Sequence, residues 1–361
     1  MHSIRKRNDC DGPEADKADQ EGERASPAIM LRQLSYVMRA SRALYAAAEL
    51  GLADILSTGV MTSKQIADKA GADGPTMRRL MRALVAHGVF EEPEFDRFRL
   101  NAAGELLCRD VPGSQRAGVL FTAGRIQWEF WSDFLESVRT GKAVVERAFD
   151  KTIFERNAED PEESALFNEA MASYSAALSV PVIGAYDFGS FRRLADIGGG
   201  TGRLIADILA AHPSMRGVLF DLPNVVAGAP ALLKTSGVEA RCDVVGGSFF
   251  DGVPVDADAY MMRAILHDWD DDRSIAILKS VRKAMAEDAT VLIIERVLPE
   301  KAEMGRAVDS YLNDLQMLVN CPGGRERSES EFREILKAAG FGPPRLVPTT
   351  TATSILEARP A

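Results

Sequence analysis

A buried strand that runs into an acidic residue and a burst of glycines constrains this chain more than any other feature. Leu194-Ala195-Asp196-Ile197 leads into Gly198-Gly199-Gly200-Thr201-Gly202, the pattern of a strand turning sharply into a helix. Glycine suits such a turn because the backbone there leaves the usual φ/ψ regions and because a ligand must approach it without meeting a Cβ. The next apolar run, Gly217-Val218-Leu219-Phe220, ends in Asp221. That is about 20 residues on, where a doubly wound fold holds the carboxylate that grips a ribose diol. The dinucleotide fingerprint places its third glycine where Arg203 stands, whereas here the glycines fall at 198, 200 and 202. A nucleoside ligand without a bridging pyrophosphate fits this spacing better, and S-adenosylmethionine is the expected one. An NAD-dependent oxidoreductase is the alternative.

At 361 residues the chain has room for more than one domain. Its hydrophobic content of 46% contains no apolar run of the ~18 residues a membrane span needs. The charged start, residues 1–28, has no apolar segment after Arg5-Lys6-Arg7 and reads as a disordered tail rather than a secretory signal. Cys10, Cys108, Cys242 and Cys321 are far apart and show no metal-ligand or disulfide spacing. The expectation is a soluble cytoplasmic protein without a metal. A net charge of -10 argues against nucleic acid as a partner.

Residues 29–110 read as helices with one short hairpin. An Ala/Leu-rich helix ends at Gly51, Thr62 caps a second helix with Gln65 three residues on, and Pro75 opens a third. Val89–Glu92 and Arg97–Leu100, joined by residues 93–96, form a hairpin wing. This is a winged helix-turn-helix, which raises a rival function as a small-molecule-sensing regulator. Arg78, Arg79 and Arg82 stand at the recognition-helix position. Met77, Leu80, Met81 and Leu84 give that helix an apolar face, and from Thr62 to Leu100 seven Lys/Arg face six Asp/Glu, so the module is nearly neutral.

Residues 111–188 form a helical connector carrying Trp128, Phe130, Trp131 and Phe134, with Met171 and Ser175 on one helix face. From 189 to 361 strands and helices alternate, the mark of an α/β domain. Strands are expected at 194–197, 217–220, 244–246, 257–262, 290–295 and near 354–357. Ligands bind at the carboxyl ends of such strands, where Gly198, Asp221, Ser248-Phe249, Arg263 to His267 and Glu295 are found. His267 lies on a loop at this edge, whereas His87 and His212 occupy helix ends.

Five segments taken together resemble the S-adenosylmethionine-dependent O-methyltransferases of the plant caffeate and bacterial polyketide-tailoring type. They are Asp196–Gly200, Phe220–Pro223, Gly247–Phe250, His267–Asp271 and Gly323–Arg327. The resemblance runs from about residue 30 to the C-terminus. It implies a doubly wound, Rossmann-like methyltransferase domain (α/β) behind a winged-helix domain that serves homodimerisation. By it, His267 is the general base for a hydroxyl acceptor, oriented by Glu295 and Glu326. Gly198, Gly200 and Gly202 line the methionine part of S-adenosylmethionine, Asp221 takes the ribose, and Ser248 and Phe249 take the adenine region. Arg263 and Ser175 complete the cofactor contacts, and Met171, Trp128, Met317 and Cys321 contact a small-molecule acceptor. Two departures qualify this: Ser248 stands where many members have Asp, and Cys321 where plant enzymes have Asn. Relatives that methylate nitrogen, or use the cofactor without methyl transfer, are the other reading.

Overall fold

The computed structural model describes residues 26–149, Ile153 and 159–361. Residues 1–25, most of the expected tail, lie outside the described part. The first helix, α1 (Pro27–Glu49), begins two residues inside the stretch read as tail, because Pro27 occupies its first position and fits the helical φ. α2 (Ser63–Ala70) starts on a capping box in which Thr62 and Gln65 exchange bonds, and α3 (Gly74–Ala86) starts on the Asp73 carboxylate, which accepts from Thr76 N–H. α3 lies against a hairpin, β1 (Phe90–Glu94) with β2 (Arg97–Leu100), and Ile66 and Ala67 of α2 join the same core; β1 runs two residues further than expected, through Pro93. Met77, Met81 and Leu84 are buried with Phe90 and Phe98, so the apolar face of α3 is core. Arg78 is held by Asp96 of the hairpin turn at 3.3 Å.

Two helices of the connector matter below: α4 (Arg125–Ser132) and α5 (Pro161–Ala185). The second half is an eight-stranded sheet. Its strands are β3 (Arg193–Ile197), β4 (Arg216–Asp221), β5 (Cys242–Gly246), β6 (Ala259–Arg263), β7 (Thr290–Leu298), β8 (Arg327–Ser328), β9 (Arg345–Pro348) and β10 (Thr353–Ala358). They are ordered β5-β4-β3-β6-β7-β10-β9, with β8 beside the end of β7. The first five in that order are parallel, and β10 and β9 run antiparallel at the edge. Val291 to Ile294 are all fully buried, as expected of a parallel strand covered on both faces. Leu204, Ile205, Ile208 and Leu209 of α6 (Arg203–Ala211) cover one face, and Ile277, Leu278 and Val281 of α7 (Asp271–Ala284) cover the other. α8 (Val308–Asn320) lies beside α4, and α9 (Glu329–Ala338) packs on α7. From β3 the chain passes to β4 and β5 on one side and then returns to β6 on the other. The crevice at the carboxyl ends of β3 and β6 is therefore the switch point where such sheets bind ligands.

Candidate active site

A cavity of about 1590 Å³ opens at that switch point, between the sheet edge and helices α4, α5 and α8. Gly198 to Gly200 form its glycine wall. Gly198 has φ +71°, and a Cβ there would collide with Ile265. Gly200 has φ +62° and open space on its Cβ side. Asp221 reaches back from the end of β4: Oδ2 accepts Gly200 N–H and Oδ1 accepts Leu222 N–H, both at 2.7 Å. Burial raises its pKa, against the pull of those two N–H groups. Ser248 and Phe249 line the same end, with Phe249 and Phe250 edge-to-face at 4.9 Å and Phe250 equally close to Trp269. Arg263, at the end of β6, donates to Ser175 Oγ, which also donates to Met171 O at 2.8 Å.

Two expected lining residues lie elsewhere. Gly202 is not on the cavity wall; it caps α6 at φ +85°, with its Cβ direction against Leu219. The turn has already closed by that residue, and Gly199 takes the place on the wall. Trp128 also faces away: it is 44% exposed, with Arg42 over its ring, whereas Gln127 and Trp131 of the same helix line the cavity. Spacing on α4 alone did not show which side faced inward. Met171, Met317 and Cys321 do line it.

Asp196 carries a signal that sequence reasoning passed over. It is fully buried, its Oδ2 has no partner among the described residues, and it lines the cavity beneath the glycine turn. Burial pushes its pKa up to about 7, with Arg263 opposing and Asp221 adding to the rise. An unpartnered buried carboxyl oxygen beside a glycine turn and a ribose-type aspartate fits a cationic nucleoside ligand such as S-adenosylmethionine.

At the other end stands His267, on the short turn after β6. Its Nδ1 lies 2.9 Å from Glu295 Oε2, an ion-pair contact off the line of an ideal hydrogen bond, and 3.7 Å from Glu326 Oε1. Its Nε2 is 3.5 Å from Asp268 Oδ1. Burial alone would lower the imidazole pKa, but Glu295, then Asp268 and Glu326, outweigh it and push the value up to about 10. That departs from the ordinary ~6.5 expected of an isolated histidine. Glu326 does not line the cavity; it is buried behind the imidazole, takes 2.6 Å from Asn313 Nδ2, and is itself pushed up to about 7, chiefly by burial. His267, Glu295 and Glu326 each bring one ligand-type atom within 4.8 Å of the others, a cluster that sequence spacing did not reveal.

Asp268 belongs to the His-Asp motif but had no role assigned. It is buried with a raised pKa, largely from that burial, and accepts Cys321 Sγ–H at 3.4 Å. Arg327, fully buried, clamps the far side of the histidine turn. It donates to the carbonyls of Leu266 and Trp269 and to Asp271, at 2.8–2.9 Å.

Comparison with known proteins decides the family. Residues 131–342 match the O-methyltransferase domain and residues 32–110 the O-methyltransferase dimerisation domain. The chain belongs to the S-adenosylmethionine-dependent O-methyltransferases. It is 40% identical to a phenazine O-methyltransferase of Lysobacter antibioticus over 322 residues, 89% of this chain and 92% of the relative. It is 33% identical to an 8-amino-8-demethylriboflavin N,N-dimethyltransferase of Streptomyces davaonensis, over 91% of this chain and 94% of that one. The crystal structure of an O-methyltransferase from neocarzinostatin biosynthesis, in complex with S-adenosylmethionine and 2-hydroxy-5-methyl naphthoic acid, superposes with TM-score 0.74 at 31% identity. That match covers 89% of this chain and 96% of the other. The enzyme is thus a transferase, and S-adenosylmethionine is its cofactor.

Proposed function

We propose that this O-methyltransferase methylates a phenolic hydroxyl of a small aromatic metabolite, with His267 as the base. The observation that carries the reading is the imidazole at the cavity edge, its Nδ1 against Glu295 and its Nε2 side beside Asp268. Bound S-adenosylmethionine supplies an electrophilic methyl group on a sulfonium. Gly198 to Gly200, Asp196, Asp221, Ser248, Phe249, Arg263 and Ser175 would hold it; the residues fit because the glycine turn leaves the space and Asp196 the unpaired carboxyl.

His267 manages the proton. A phenol titrates near ~10, and the imidazole is pushed up to about 10. Donor and acceptor are therefore matched, and once the pair has lost one proton to solvent the remaining one is shared between the hydroxyl oxygen and Nε2 with little uphill cost. At pH 7 the free imidazole is mostly protonated, so the reactive pair is equally described as a phenolate beside an imidazolium. Glu295 stays ionised, because the imidazole and the Ile265 and Leu266 amides outweigh the upward push of its burial, and it holds the charge the imidazole gains. Met171, Met317 and Trp131 give the aromatic ring apolar walls, which leaves orientation as the main remaining requirement. Occurrence as a cytoplasmic homodimer is part of the proposal. The dimerisation-domain match supports the dimer. No helix among the described residues is long and apolar enough to cross a membrane.

A nitrogen acceptor is the second reading, favoured by the likeness to the N,N-dimethyltransferase. Incubation of the purified enzyme with methyl-labelled cofactor and paired hydroxy- and amino-arenes tests both. Label confined to the amines would overturn the phenol reading.

A further inference from the structure

α8 carries a polar stripe of which the methyl transfer uses only Asn313, through Glu326. Asn313, Gln316 and Asn320 recur at helical spacing and all line the cavity. Asn313 is committed to Glu326. Gln316 is held between two residues of α4: its Oε1 accepts Trp131 Nε1–H at 2.9 Å, and its Nε2 donates to Gln127 Oε1 at 2.8 Å. Chemistry fixes these directions. An indole N–H only donates, so Gln316 must offer it oxygen. The Gln316 amide nitrogen then faces Gln127, which must answer with its own oxygen. The Gln127 NH₂ is left over. Gln127 is 1% exposed and lines the cavity, and its Nε2 has no partner among the described residues, although buried amides are normally satisfied. Asn320 Oδ1 also lacks one, but no donor-only group sets the direction of that amide.

We propose that Gln127 Nε2 is a specificity element that donates to an oxo oxygen of the acceptor, such as a carboxylate, amide or quinone oxygen, set apart from the hydroxyl that is methylated. The relay Trp131 to Gln316 to Gln127 sets its polarity: a donor-only indole at one end leaves a donor at the other. An acceptor lacking that oxygen leaves the amide unpaired in a dry wall, the situation in which binding sites discriminate most strongly. This rests on the cavity being the phenol site proposed above.

The test uses hydroxy-aromatic acids of one to three rings, each paired with the phenol that lacks its carboxylate. Both kcat/KM and calorimetric affinity for the complex of enzyme with S-adenosylhomocysteine are measured. The wild-type enzyme prefers the acids about tenfold or more, mainly in KM, the scale of one well-placed hydrogen bond. Gln127→Leu brings that ratio close to one. Gln316→Glu is sharper: its new carboxylate accepts from Trp131 but cannot donate to Gln127, so the Gln127 amide turns over and presents oxygen to the cavity. The acids then become the weaker partners. S-adenosylhomocysteine affinity within about twofold of wild type reports an intact fold, and isosteric Gln127→Glu replaces the leucine variant if that one misfolds. A Gln316→Glu enzyme with wild-type preference, or a wild-type enzyme with none, overturns the proposal. If no phenol is methylated but the acids still bind more tightly through Gln127, the recognition stands and the reading of the reaction falls.

Discussion

Glu295 holds His267 with one oxygen and the turn that delivers it with the other. Oε2 lies 2.9 Å from Nδ1, and Oε1 accepts the N–H groups of Ile265 and Leu266, both at 2.9 Å. Ala264 enters this turn at φ +54°, a left-handed backbone that costs a non-glycine residue about 1–3 kcal/mol. The strain is tolerated because Glu295 on one side and Arg327 on the other over-determine the turn.

Glu295→Gln separates the two tasks. The new side chain still accepts the two backbone N–H groups, but it turns an amide N–H toward Nδ1. The imidazole must then carry its proton on Nε2, the wrong tautomer for a base facing the cavity. Turnover should fall about 10- to 100-fold with little loss of melting temperature, and the imidazole pKa should drop from about 10 toward the ordinary range, read by NMR titration. Glu295→Ala leaves two buried N–H groups unpaired and should cost about 1–3 kcal/mol for each in denaturant unfolding.

The pH profile follows from the same pair. The productive complex needs one proton shared between acceptor oxygen and imidazole. For an acceptor that titrates below the histidine, kcat/KM should rise as the phenolate forms and fall only as the imidazolium is lost near pH 10. His267→Gln should remove that alkaline limb, lower turnover by about 10²–10⁴ and keep cofactor affinity. Unchanged turnover at pH 7 in this variant would refute the base assignment. The same pKa has a sign for stability. Raised above its unfolded value, His267 contributes stability that is fully present below about pH 6.5 and lost as pH passes about 10.

Much of this was legible in sequence because parallel strands announce themselves. Val291–Ile294 is a continuous apolar run and Leu194–Ile197 is broken only by Asp196, and the residue after each must face the ligand edge whatever the packing. Glycine at 198 and 200 and the carboxylate at 221 follow from local backbone geometry. The antiparallel β9 is short and half exposed, with no alternation strong enough to read. The inward side of α4 depends on how it meets α8, a contact between residues nearly 190 apart in the chain, as in Gln127 with Gln316. For the same reason Trp128 looked as suitable as Trp131. Asp196 was visible, but its unpaired state is a property of burial.

Asp196 gives the cofactor pocket its own test. Its carboxyl is pushed up to about 7 by burial, so the folded state holds a proton that the unfolded chain has lost. The contribution to stability therefore declines as pH rises from about 4 to about 7. Without cofactor, Asp196→Asn should melt a few degrees above wild type at pH 8 and lose that advantage near pH 4. Asp221→Ala should instead weaken S-adenosylmethionine by on the order of 1–3 kcal/mol in calorimetry, the scale of hydrogen bonds to a charged group.

The N-terminal helix carries the last prediction. Met30, Leu31, Leu34, Val37 and Met38 recur on one face of α1 and are each more than half exposed. An apolar stripe of this kind on an isolated chain marks an interface, and residues 32–110 match a dimerisation domain. Burying such side chains is worth about 1.5–3 kcal/mol each, so a double substitution should suffice to separate the subunits. Leu34→Glu with Val37→Glu should give a monomer by light scattering at concentrations where the wild-type protein is a dimer. It should also abolish the rise of melting temperature with protein concentration that a dimer shows by mass action. Because α1 reaches the connector through Arg42, whose guanidinium donates to Ala123 O at 2.6 Å, loss of the dimer should raise acceptor KM more than cofactor Kd. A monomeric wild-type protein, or a double variant that remains dimeric, would assign the stripe to another partner.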